Sequence, residues 1–197
     1  MIDIEKLRTL YKFGKELSLQ DAQELLKTAK SISFKKKEIL FEQGSKDTQI
    51  YFLRKGMVRM YHIKDTGEEI TFSLIPEHNV VANFDFIATE IPSKFYYETL
   101  ENCSFFSIDY QVLDSIVSKN SKLESNRKFF LRKIIFEVKE RLESFVLMTP
   151  EERYLKYIKD FPDLTNRVPD KYIANVLGIT PVSLSRIRKR ISSKTEC

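Results

Sequence analysis

Four cations fall within five residues near the end of this chain: Arg186, Arg188, Lys189 and Arg190, in the stretch YIANVLGITPVSLSRIRKRI at residues 172–191. Guanidinium and ammonium groups donate hydrogen bonds and accept none, so such a cluster asks for an anionic partner. Ser183 and Ser185 add hydroxyls that donate to a phosphate or a base edge. A guanidinium matches O6 and N7 of guanine with two parallel bonds, worth ~1–3 kcal/mol in base discrimination, and Arg186 is the candidate for that contact. Lys189 and Arg190 suit backbone phosphates, each phosphate neutralised on duplex DNA adding about −0.9 to the salt-dependence slope. Thr180 and Val182 stand at the start of the same surface. The chemistry is recognition of a polyanion. Arg188 has no clear place in the helical period and is expected in solvent.

The elements that must hold these groups are legible around them. Pro169 opens one helix, with Ile173, Ala174 and Leu177 at helical spacing, and Gly178 ends it as a left-handed cap. Thr180-Pro181 opens a second helix carrying Leu184, Ile187 and Ile191 on one face. A linker of three to four residues forces a sharp crossing, Ala174 leaves room for close approach, and Ile173, Leu177, Ile179, Leu184 and Ile187 bury the shared side. This is a helix-turn-helix pattern. Free N–H groups at the start of the second helix suit phosphate. Upstream, Thr149-Pro150-Glu151-Glu152 reads as a capping box with proline at the first helical position. That helix carries Tyr154, Leu155 and Ile158 and breaks at Phe161-Pro162-Asp163.

Residues 122–148 contain neither Gly nor Pro. A helix of this length spans about 40 Å. Its apolar stripe, Phe130, Ile134, Val138, Leu142 and Phe145 or Val146, is the expected dimer interface, broadened by Leu131, Ile135 and Phe136. The stripe is too short to demand a coiled coil.

The period differs earlier in the chain. Ile39/Phe41, Ile50/Phe52, Val58/Met60 and Ile70/Phe72/Leu74 alternate at two-residue spacing, separated by turns containing Gly44, Gly56 and Gly67. Further strands are expected at 95–100 and 104–108, giving an antiparallel sandwich or barrel over about 33–109. Ser18 begins a helix signal ahead of it, and Leu113, Ile116 and Val117 mark a short helix behind it.

Composition narrows the classes. The formal net charge is +5, but residues 1–118 carry 15 Lys/Arg against 18 Asp/Glu and residues 119–197 carry 18 against 10. The C-terminal part therefore faces the polyanion. No run of about 18 apolar residues predicts a membrane span. No apolar leader pattern opens the chain, and Cys103 and Cys197 offer no disulfide framework, which together suit the cytoplasm. An enzyme reading rests on Gly56 and His62, which match the first half of a cupin metal motif. Lys64 occupies the second histidine's place, so no metal, cofactor or catalytic residue is assigned.

The whole pattern resembles the cyclic-AMP receptor/FNR superfamily of bacterial transcription regulators. EILFEQGSKDTQIYFLRKGMVRMYHIKDTGEEITFSLI is similar to the first strands of its β-roll, and RVPDKYIANVLGITPVSLSRIRKRI resembles its DNA-binding helices. The resemblance covers about residues 20–191. It implies an α+β chain: a jelly-roll-like sensory β-roll with flanking helices (1–118), a dimerisation helix (119–148) and an all-α DNA-binding domain (149–197). It also implies a homodimer on double-stranded DNA, with RNA polymerase a further candidate partner.

Three departures matter. Asn83 falls near the family's ribose-binding Glu, and Phe95, Tyr96 and Tyr97 lie where its phosphate-binding Arg-Ser pair is expected. A buried cyclic phosphate without its cation is costly, so cyclic AMP is not the expected effector. The effector stays unidentified, with Phe72, Asn83, Phe84 and Tyr96 as candidate pocket residues. Tyr51, Phe52 and Phe86 are alternatives for pocket or core. No N-terminal cysteine cluster suits an iron–sulfur sensor. The segment from Phe161 to Pro169 is short for the β-hairpin wing of many relatives, and Pro181 and Val182 replace a charged base-reading pair. The rival reading is a ligand-binding module of the same fold that acts through protein partners without DNA.

Overall fold

The computed structural model describes residues 27–119 and 121–195; the helix expected from Ser18 lies outside them. Eight strands are present among the described residues: β1 (Lys30–Phe34), β2 (Ile39–Phe41), β3 (Gln49–Lys55), β4 (Val58–Ile63), β5 (Glu69–Ile75), β6 (Val80–Ala82), β7 (Tyr96–Thr99) and β8 (Cys103–Asp109). They form two four-stranded sheets in the orders β1-β8-β3-β6 and β2-β7-β4-β5. Seven helices follow the same numbering: α1 (Phe84–Thr89), α2 (Tyr110–Val117), α3 (Ser121–Leu147), α4 (Pro150–Asp160), α5 (Leu164–Arg167), α6 (Asp170–Leu177) and α7 (Pro181–Thr195). The described residues divide into two compact units. One holds the chain up to Met60 with Ile75–Ile135, and the other holds Tyr61–Leu74 with Phe136 onward.

In the first unit the two-residue period serves two cores at once. Tyr51 and Leu53 point into a cluster with Leu40, Phe41, Val58, Val81, Tyr97, Cys103 and Phe105. Ile50, on the other face of β3, packs with Ala82, Ile108, Ile116 and Val117, which brings α2 against the sheet. Aromatic edges knit the first core. Phe41 lies 5.2 Å from Tyr97, and Tyr51 lies 5.5 Å from both Phe41 and Phe105. Such pairs contribute about 0.5–1.5 kcal/mol each beyond their burial. β3 pairs antiparallel with both β8 and β6, so it is an interior strand of its sheet. At the β3–β4 turn Gly56 holds φ at 103°, and an added Cβ would stand 2.5 Å from Cys103 Sγ.

Local caps set the helix ends. Asp109 accepts the Gln111 and Val112 N–H groups at the start of α2 and the Thr48 hydroxyl at 2.7 Å. The Thr48 bond, with the two backbone bonds, holds its carboxyl below the usual range. Thr149 and Glu152 form the reciprocal capping box of α4. The bond from the Thr149 N–H keeps the Glu152 carboxyl low.

In the second unit the core is built from Tyr154, Leu164, Val168, Ile173, Ala174, Leu177, Leu184 and Ile187, all buried. Helix α6 ends at Gly178, whose φ of 67° is the left-handed region that costs an L side chain. The Gly178 N–H donates to Asn175 O and the Ile179 N–H to Ala174 O, closing the orphan carbonyls of the helix end. The chain then turns through Gly178, Ile179 and Thr180 into α7. Between α4 and α6 lies the short helix α5.

Candidate nucleic-acid interface

The orientation of α7 follows from two buried residues. Leu184 is fully buried and Ile187 nearly so. Residues on the opposite side of a helix must face away. Val182, Ser185, Arg186 and Lys189 are exposed, and Ser183 is half-buried. Thr180 caps the helix: its hydroxyl accepts the Ser183 N–H at 3.1 Å and lies 2.9 Å from Ser183 Oγ. The cap consumes one of the N–H groups expected to meet phosphate. It also engages two of the hydroxyl groups assigned to the surface, those of the exposed Thr180 and the half-buried Ser183.

The four cations divide into two pairs of different roles. Arg188, expected in solvent, is instead tied into its own unit. Its Nη1 donates to both oxygens of Asp170 at 2.7 and 2.8 Å, and its Nε donates to Tyr154 Oη at 3.1 Å. Its guanidinium also sits 5.8 Å from the Tyr154 ring centre. Arg188 therefore fastens α7 to α6 and α4. Arg190, assigned to phosphate, pairs with Glu151 at 2.7 Å, so a phosphate would have to compete with that carboxylate. Arg186 and Lys189 remain as the exposed cations on the outward side.

Helix α3 leaves a row of apolar residues in water. Leu131, Ile135, Val138, Leu142 and Val146 are each at least half exposed, at steps of three and four residues. Phe136 and Leu147 widen the row. Val138 and Leu142, both assigned to the expected interface, are among the exposed residues. The Phe130 side chain lies outside the described residues, and Ile134 is half-buried. Phe145 is 40% exposed; the edge of its ring lies against Gly178, and the ring is 5.0 Å from the Arg153 guanidinium.

The four candidate effector residues divide between the two units, Phe72 in the second and the other three in the first. Asn83 is completely buried and committed to the fold: it caps α1 by accepting the Phe86 N–H, and its amide donates to Ser45 O at 2.9 Å. Phe84 is exposed and Tyr96 half-buried in the first unit. Phe72 belongs to the second unit, where its ring covers the Arg141 guanidinium at 4.5 Å. Tyr51 is core. A cleft of about 300 Å³ does occur in the second unit, lined by Arg141, Phe145, Arg153, Lys156, Tyr157 and Phe161 among others. Its cations are already engaged: Arg153 by backbone carbonyls, Lys156 by Glu140 and Asp160, Arg141 by Phe72 O. Burial pushes the Tyr157 hydroxyl upward, so it stays neutral. Among the described residues no cluster of His, Cys, Asp and Glu could hold a metal ion, and no helix is long and apolar enough to cross a membrane.

Residues 31–120 match the cyclic nucleotide-binding domain family. The chain is 29% identical over 192 residues to the anaerobic regulatory protein of Haemophilus influenzae, covering 89% of this chain and 71% of that protein. It is 31% identical to the anaerobic regulatory protein of Aggregatibacter actinomycetemcomitans over 79% of this chain and 64% of that one. Among solved structures, FixK2 of Bradyrhizobium japonicum superposes with a TM-score of 0.73 at 14% identity, over 85% of this chain and 86% of that one, which establishes a shared fold. In sequence along most of its length this chain is therefore similar to bacterial anaerobic regulatory proteins, and in fold to FixK2.

Proposed function

We propose that the chain is a homodimeric, sequence-specific DNA-binding transcription regulator of the cytoplasm, in which α6 and α7 act as a helix-turn-helix. The observation that carries this reading is the exposed side of α7. Val182, Ser185, Arg186 and Lys189 face outward while Leu184 and Ile187 anchor the opposite side. An α-helix fits the major groove, where Arg186 meets a guanine edge and Lys189 a phosphate. In this reading recognition proceeds without a wing hairpin, and the short helix α5 between α4 and α6 supports this. One such module makes few contacts. The apolar row on α3 supplies the remedy: pairing with a second copy removes it from water and presents two reading helices to half-sites about 34–36 Å apart. RNA polymerase is a partner consistent with this role.

The sandwich is the sensory part of the proposal, with an effector other than cyclic AMP. Asn83 stands where the family's ribose-binding Glu is expected, and both ends of its amide are used by the fold. Selection of a bound sequence from random duplexes, followed by titration of the winner at several salt concentrations, tests the function. A specific duplex bound at least about 1,000-fold more tightly than random DNA supports it. Equal, salt-independent binding to all duplexes contradicts it. Isothermal titration with cyclic AMP tests the sensory part, where micromolar binding overturns the exclusion.

A further inference from the structure

We infer that Phe72, at the outer part of the β4–β5 hairpin, is a positioning residue for the reading helix, acting through Arg141 and Phe145. The inference rests on the DNA-binding reading above for its functional meaning and on the following contacts for its physical basis.

Arg141 Nη2 donates to the Phe72 carbonyl at 2.7 Å. Its guanidinium carbon lies 4.5 Å from the Phe72 ring centre and 5.9 Å from that of Phe145. Burial lowers the Arg141 pKa from its ordinary value, so the cation leans on these aromatic faces in place of water. Phe145 in turn fills the space beside Gly178, with Cε1 2.6 Å from where a Cβ would be. Arg153 covers Phe145 at 5.0 Å, and donates to Leu177 O at 3.1 Å and Met148 O at 2.8 Å. The ends of α3 and α6 are thus tied to the same stack. A second strut runs directly from hairpin to helix: the Thr71 N–H donates to Asn175 Oδ1 at 3.1 Å.

Both struts converge within one turn of Gly178, and Gly178 sets the direction in which α7 leaves α6. Phe72 is 46% exposed, and its ring caps a cation that also touches the residue packed on the turn. Strand β4 starts in the first unit and ends in the second, and β5 returns to the first at Ile75.

The test uses the full chain. Phe72→Ala and Arg141→Met remove the two faces of the stack, and Phe72→Tyr retains the ring. Hydrogen exchange is followed without DNA over residues 61–74 and 170–191, and affinity is measured on the selected duplex. In Phe72→Ala and Arg141→Met, amides of 170–191 are expected to exchange about five-fold faster and duplex affinity to fall by a similar factor, with Phe72→Tyr close to the parent. The salt slope is expected to stay unchanged, since no phosphate contact is lost. Faster exchange confined to 61–74, or unchanged exchange throughout, overturns the inference. If the parent binds no duplex yet exchange over 170–191 responds, the DNA-binding reading fails and the coupling stands.

Discussion

A Cβ on Gly178 would stand 2.6 Å from Cε1 of Phe145, so the turn between α6 and α7 and the end of α3 occupy adjoining space with nothing to spare. Gly178 also holds φ at 67°. Gly178→Ala therefore suffers two separable penalties: left-handed strain of about 1 kcal/mol or more, and a clash with the ring. Phe145→Ala removes only the second. Urea unfolding of the two single variants and the double variant is expected to show a favourable coupling of at least ~0.5 kcal/mol. Strict additivity would mean that the ring simply swings away.

The cations of α7 are predicted to separate by assay. Arg188→Met breaks the bonds to the exposed Asp170 and to the buried Tyr154, so the loss is about 1–3 kcal/mol of stability with little change in the salt slope of DNA binding. Glu151→Gln frees Arg190 from its ion pair and is expected to steepen that slope. Chemical denaturation and salt titration of the two variants check the division.

The apolar row on α3 predicts its own disruption. Val138 and Leu142 are 63% and 64% exposed in the single chain, so a charge at either is tolerated by the monomer and rejected by a helix–helix seam. Sedimentation equilibrium is expected to show a dimer for the parent and a monomer for Leu142→Arg, at unchanged helix content by circular dichroism.

Cys103 supplies a pH prediction. Burial pushes its thiol up to about 11, against about 8.5 for a free cysteine. The unfolded chain ionises first, so this contribution is full below about pH 8.5 and declines as pH rises toward 11. In a Cys197→Ser background, an aromatic disulfide reagent at pH 9 is expected to react slowly with the native protein and at once in urea. The urea midpoint should fall more steeply between pH 8 and 10 with Cys103 present than in Cys103→Ala.

What could be read from sequence was what local spacing decides. Leu184 and Ile187 fix the buried side of α7 by their own period, and Gly178 marks the end of α6 by its type alone. Strand β1 was invisible because it is exposed, with Lys30, Ser31, Ile32 and Ser33 forming no inward stripe. Strand β6 is three residues held by pairing with β3, and no short window contains that partner. Even β3 was only half legible: Ile50 and Tyr51 are both buried because each face meets a different core. In the site, Arg188 and Arg190 look alike from their neighbours in sequence. Asp170, Tyr154 and Glu151, which distinguish them, come from other helices. Phe145 follows the stripe of α3 by number, and no spacing within α3 reveals that its ring edge also meets a glycine on another element.

The most direct trial is a salt titration of the selected duplex with the Arg186→Ala/Lys189→Ala variant beside the parent. If the outward side of α7 reads DNA, affinity falls by more than about 100-fold and the slope flattens by about 1.8 for two lost phosphate contacts per dimer, while dimer mass and melting temperature hold. Parent-like affinity and slope in a folded, dimeric double variant would place the reading surface somewhere else on the molecule.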